Sequence, residues 1–107
     1  MGRFDALCAS TVRKLQERYP HIRCVLVIPY RTSGLKYASL SYDEILFPEY
    51  KSRNYKSLIL ERNRYMVDNA SYAICYVNHN WGGAAKTFSY TQRKKLQIIN
   101  LAQSKKA

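Results

Sequence analysis

The chain has 107 residues, 47% of them apolar and 23% charged, which fits one folded domain spanning residues 1–107 with room for one site and excludes a disordered or fibrous chain. Lys and Arg outnumber Asp and Glu by 18 to 7, and the formal charge of +11 favours a polyanion or a phosphorylated small molecule as partner. No apolar run approaches the roughly 18 residues that span a bilayer. The opening Met1-Gly2-Arg3-Phe4-Asp5 lacks a signal-peptide core, so a cytoplasmic protein without a membrane partner is expected.

In chain order, Phe4, Leu7, Cys8, Val12, Leu15 and Tyr19 recur at three- and four-residue steps, which predicts an amphipathic helix ended by Pro20 and capped by Asp5. Ile22 to Ile28 is a β-branched run between prolines, read as a strand buried on both faces. A loop follows at Arg31-Thr32-Ser33-Gly34, then a short extended piece, Glu44-Ile45-Leu46-Phe47, stopped by Pro48. Lys56 to Asn69 contains neither Gly nor Pro and predicts a second helix with Leu58, Ile59, Met66 and Val67 on one stripe. Tyr72 to Val77 is the next strand, Ala84 to Lys94 a third helix with Ala84, Phe88 and Thr91 inward, and Gln97 to Leu101 a last short strand. The polar tail from Gln103 to Ala107 is expected to fray. Cys8, Cys24 and Cys75 fit neither a disulfide framework nor a zinc site and read as small buried hydrophobes.

Helices alternating with short apolar strands imply an α/β fold with a mostly parallel sheet of about four strands, about three main helices on its faces, and ligands beyond the carboxyl ends of the strands. Two strand ends, at Pro29-Tyr30-Arg31 and at Asn78-His79-Asn80-Trp81-Gly82-Gly83, are expected to meet at one crevice. The second has the layout of a phosphate-binding turn. Gly82 and Gly83 let the backbone bend sharply and approach a ligand, and the following helix points unpaired N–H groups at an anion, with Ala84 in its first turn. Lys86 adds a charge and Thr87 a hydroxyl. The Walker spacing and the Rossmann glycine triplet are both absent, and a tight turn that binds nothing is the competing reading.

Glu61-Arg62-Asn63-Arg64-Tyr65-Met66-Val67-Asp68-Asn69, followed by a strand and then Trp81-Gly82-Gly83-Ala84-x-Lys86-Thr87, resembles the YpsA-like branch of the SLOG superfamily. Val27-Ile28-Pro29-Tyr30, Tyr42-Asp43-Glu44-Ile45 and Ile98-Ile99-Asn100-Leu101 are similar to that branch too. The resemblance implies a Rossmann-like three-layer sandwich with a nucleotide or nucleotide-derived ligand at the glycine turn, and relatives that include the LOG phosphoribohydrolases and DNA-processing protein A. Gly2-Arg3-Phe4-Asp5 resembles only the end of the family's first glycine turn, so the chain is expected to correspond to the last two-thirds of the family domain. Its open sheet edge would then favour a homo-oligomer. LOG enzymes carry a catalytic Glu three residues after the motif's Thr, where this chain has Tyr90, so no catalytic residue is assigned.

Arg62 and Asn63 are candidates for contacting the ligand's phosphate or ribose or a neighbouring loop, and the resemblance moves both toward the site. Arg64 lies about 200° round the helix from Arg62 and reads as solvated, and Asp68 reads as structural, capping the following turn or holding a basic partner, its spacing of four from Arg64 fitting an ordinary helix ion pair. Trp81 and Tyr30 are candidates for stacking on a base. His21 and His79 have no partner at metal-ligand spacing, and no cofactor is required. Three readings follow: a nucleotide-binding module, a single-stranded nucleic-acid binder drawn from the charge and the ten tyrosines, and a hydrolase of N-glycosidic bonds that the missing acid disfavours.

Overall fold

The computed structural model describes residues 3–102, and residues 38–40 by their backbone alone. Gly2 of the N-terminal motif and the polar tail expected from Gln103 to Ala107 lie outside the described residues. The fold is α/β, with three α-helices and four short strands paired in parallel. The chain divides into two compact units, residues 1–49 and 50–107.

The first unit begins with helix α1 (Arg3–Gln16). Asp5 stands inside the first described turn of this helix, where its carboxylate meets the positive end of the dipole, and is not the capping residue ahead of it. The helix tightens at its end through bonds from the N–H groups of Glu17, Arg18 and Tyr19 to Lys14 and Leu15, just before Pro20. Strand β1 (Val25–Val27) pairs in parallel with β2 (Glu44–Leu46), Val25 opposite Glu44 and Val27 opposite Leu46. A 3₁₀ helix over Ser33–Leu40 connects them. The strand expected from Ile22 to Ile28 is thus shorter, and it is not buried on both faces: Cys24 and Ile28 are buried but Val25 is exposed. Its ends are held by other bonds, from Ile28 N–H to Leu46 O (3.0 Å) and from Asp43 N–H to Cys24 O (2.7 Å).

The second unit is a strand–helix–strand arrangement with a helix ahead of it. Helix α2 (Tyr55–Asp68) starts where Asn54 Oδ1 accepts from Ser57 N–H at 2.9 Å. It stops where Asn69 returns its backbone and side-chain N–H groups to the Tyr65 carbonyl. Strands β3 (Tyr72–Cys75) and β4 (Gln97–Asn100) pair in parallel, Tyr72 opposite Gln97 and Cys75 opposite Asn100, and helix α3 (Gly82–Arg93) crosses between them. Lys95, at φ 60°, turns the chain out of α3 and bonds back to Gln92 O at 3.1 Å. Helices α2 and α3 pack together, with Val67, Ala85 and Thr91 buried. The inward residue of the first α3 turn is therefore Ala85, whereas Ala84, expected inward, is exposed and Phe88 is half-buried. Thr87 and Tyr90, which bond to Asn63 and Asp68 of α2, lie roughly 160° and 140° round α3 from Ala85, so Ala85 is buried on a different face from the one that meets α2. Of the apolar stripe expected on α2, Val67 is buried and Leu58 and Ile59 are half-buried, whereas Met66 is exposed. Among the described residues, no helix is long and apolar enough to cross a membrane.

Candidate functional site

Asn100 shapes the carboxyl end of the β3–β4 pair. It is a buried amide whose Oδ1 accepts from Val77 N–H (3.0 Å) and Ala102 N–H (3.2 Å), while its Nδ2 donates to Val77 O (2.9 Å). One side chain thereby satisfies both backbone groups of Val77 where the sheet ladder has ended, so the chain leaving β3 takes a defined direction. Beyond this clamp, residues 77–81 with Phe88 and Ala102 border an open crevice of about 590 Å³, within the size range of small-molecule sites. The His79 and Trp81 rings lie 4.8 Å apart at 33° within this rim, and Trp81 is 69% exposed. The amides of Asn78 and Asn80 supply donors and acceptors to the same rim.

The chain then enters α3 through Gly82, at φ +89°, a conformation that side chains rarely adopt. Trp81 precedes the helix in an extended conformation and contributes no side-chain cap, so the first-turn N–H groups open without one. A Cβ at either Gly82 or Gly83 would meet nothing within 4 Å, so the space in front of the turn is clear. Gly82, Gly83 and Ala84 form the exposed start of a twelve-residue helix at the carboxyl edge of a parallel strand pair.

Arg62, Asn63 and Thr87 join in one bonded chain. Arg62 Nε donates to Asn63 Oδ1 (2.8 Å), Asn63 Nδ2 donates to Thr87 Oγ1 (2.9 Å), and Thr87 Oγ1 donates to Gly83 O (3.0 Å). Asn63 therefore locks α2 to the first turn of α3, and the Thr87 proton is committed to the backbone of the glycine turn. Lys86 and Thr87 face a second, smaller depression between α2 and α3, which they line with Arg64, Tyr90 and Arg93. The residues of the candidate site thus divide: Trp81 borders the crevice, whereas Lys86 and Thr87 border the interhelical groove. Tyr30 is half-buried in the first unit, just after Ile28 and Pro29.

Asp68 does not pair with Arg64 as its i,i+4 spacing suggested. Its Oδ1 accepts from the Tyr90 hydroxyl at 2.7 Å and lies 3.6 Å from Lys94 Nζ. Arg64 instead sits over the Tyr90 ring, 5.3 Å from its centroid. A phenol donating to the carboxylate is a stronger competitor than an exposed i,i+4 pair. Sequence reasoning missed Asn100, whose signal was an amide closing an apolar strand, and the cations gathered at Tyr90, whose spacing along two separate helices left no local signal. Burial pushes the Cys75 thiol up, so it remains a neutral thiol, and its Sγ reaches Ile99 O at 3.8 Å. Comparison with protein-family models, with curated proteins and with solved structures returned no match.

Proposed function

We infer that the protein is a binding module for a nucleotide or nucleotide-derived ligand. Its phosphate would sit at the Gly82–Gly83 turn and its base along the His79–Trp81 rim. The observation that carries this reading is the start of α3 without a side-chain cap, opened by the positive φ of Gly82, with clear space before it and a crevice of small-molecule size beside it. Arg62 and Asn63 support it by holding Thr87, and through it the carbonyl of Gly83, in place. Binding rather than hydrolysis suits a rim of amide, imidazole and indole groups, with Tyr90 occupied by Asp68. The resemblance to the YpsA-like SLOG branch points the same way, and it implies a Rossmann-like sheet of about four strands whose open edge joins a second copy.

Thermal unfolding with AMP, ADP and NAD, compared between the wild type and Gly83→Leu, tests the proposal. At least one nucleotide should raise the wild-type Tm, since a ligand of the native state stabilises it by mass action. Gly83→Leu should unfold at the wild-type temperature without ligand, because its side chain enters open space, yet lose the nucleotide response. A nucleotide response that survives Gly83→Leu would place the ligand elsewhere and overturn the reading.

A further inference from the structure

The groove between α2 and α3 concentrates positive charge in a way the crevice does not. Arg64 Cζ, Lys94 Nζ and Arg93 Cζ lie 5.3, 5.4 and 5.7 Å from the centroid of one ring, that of Tyr90. Lys86 borders the same groove one turn ahead of Tyr90. Asp68 is the carboxylate at this cluster, and Tyr90 and Lys94 share it. Among the described residues, neither Arg64, Arg93 nor Lys86 has a carboxylate partner. Cations gathered this closely repel one another with only partial screening, the Debye length being about 10 Å at 0.1 M salt. An anion dense in charge is the species that would relieve that repulsion.

Two properties of the groove narrow its chemistry. At about 210 Å³ it is smaller than the roughly 300 Å³ at which whole small-molecule sites begin, so it has room for an anionic group and not for a nucleoside. The Tyr90 ring already carries cations and is not offered to a base, whereas single-strand binders present free aromatic faces for stacking. Guanidinium forks such as those of Arg64 and Arg93 match neighbouring phosphate oxygens in pairs. We propose that the α2–α3 groove is a site for condensed phosphate, a run of directly linked phosphates, gripped by Arg64, Lys86 and Arg93. The site is separate from the glycine turn and does not depend on the nucleotide reading. Two sources share its chemistry, free inorganic polyphosphate and the tail of a nucleoside triphosphate.

Isothermal titration of the full chain with inorganic tripolyphosphate at physiological salt tests the proposal. Arg64→Ala and Arg93→Ala should each weaken binding about tenfold or more, and the Arg→Lys variants should recover part of the loss. Both positions are exposed, so the fold should persist, which an unchanged unfolding temperature checks. Lys14→Ala combined with Arg18→Ala removes exposed charge from the first unit and should leave the affinity nearly unchanged. Gly83→Leu should leave tripolyphosphate binding intact, which separates failure here from failure of the nucleotide reading. ATP binding much more tightly than tripolyphosphate would identify the nucleotide tail as the source, and equal affinities would identify free polyphosphate. Absent tripolyphosphate binding, or binding as sensitive to the Lys14 and Arg18 changes as to Arg64 and Arg93, would overturn the proposal. So would tighter binding of a single-stranded oligonucleotide through the same two arginines.

Discussion

Asp43 accepts hydrogen bonds from Cys24 N–H (2.8 Å), Gln16 Nε2 (2.6 Å) and Arg13 (3.4 Å), so one carboxylate ties the end of α1 to the entry of β1. The bond from Cys24 N–H, followed by that from Gln16, holds its carboxyl below the ordinary value of 3.8. The folded state therefore binds this proton less readily than the unfolded one. The resulting stabilisation is fully present above the ordinary carboxylate range and is lost as the pH falls through the lowered folded value. Glu61 works in the same direction, its carboxyl lowered by the Ser52 side chain and by the N–H groups of Lys51 and Ser52. Asp43→Asn should consequently be less stable than the wild type at pH 7, and urea unfolding should show the gap closing as the pH drops below about 4. Parallel stability profiles for the two proteins would mean that the ionised form of Asp43 contributes nothing beyond its shape. In the sequence Asp43 read only as part of a family-like tetrapeptide, because its partners lie 19, 27 and 30 residues away.

At the scale of elements, the entry into α3 separates the roles of two adjacent glycines. Gly82 needs its missing Cβ for backbone reasons, at φ +89°, whereas Gly83 lies outside the left-handed region and has open space before it. Gly82→Ala should destabilise by about 1–2 kcal/mol, the cost of a left-handed conformation for a residue with a Cβ. Gly83→Ala should be neutral or stabilising by less than about 1 kcal/mol, because alanine favours the helix. Urea unfolding of both variants measures the difference, and equal losses would show that the two positions share one constraint. The existence and order of the three α-helices and four strands were legible from periodicity and punctuation, because the 3.6-residue stripe and the Pro and Gly stops act locally, whereas the 3₁₀ helix over Ser33–Leu40 was expected as a loop. Strand ends were not, since β1 and β3 stop where their partner's ladder stops and the flanking residues are held by other bonds, as Val77 is by Asn100. The inward phase of α3 escaped for a similar reason: Ala84 and Ala85 both fit a stripe, and only tertiary packing, which buries Ala85 and leaves Ala84 exposed, chooses between them.

Across the whole molecule, the excess of 18 basic over 7 acidic residues was plain in the sequence, but its concentration at Tyr90 was not, because Arg64 comes from one helix and Arg93 and Lys94 from the end of another. A formal charge of +11 on 107 residues makes self-repulsion a destabilising contribution in the folded state, where the charges are held closest. Opposing it are ion pairs such as Arg13–Asp43 (3.4 Å), Arg23–Glu44 (3.6 Å) and Lys94–Asp68 (3.6 Å), which salt also weakens. Exposed pairs of this kind are individually worth only about 0–1 kcal/mol, so screening should remove more repulsion than attraction. The wild-type Tm should therefore rise with potassium chloride as the Debye length contracts from about 30 Å at 0.01 M to about 3 Å at 1 M. Each 1 kcal/mol of relieved repulsion corresponds to roughly 4–8 °C for a domain near this size. If the repulsion is concentrated between α2 and α3, Arg64→Ala combined with Arg93→Ala should flatten the salt response more than Lys14→Ala combined with Arg18→Ala, although both remove the same charge. A Tm that falls with salt would assign the balance to the ion pairs, and equal flattening by the two double variants would show that the positive field is spread evenly over the chain.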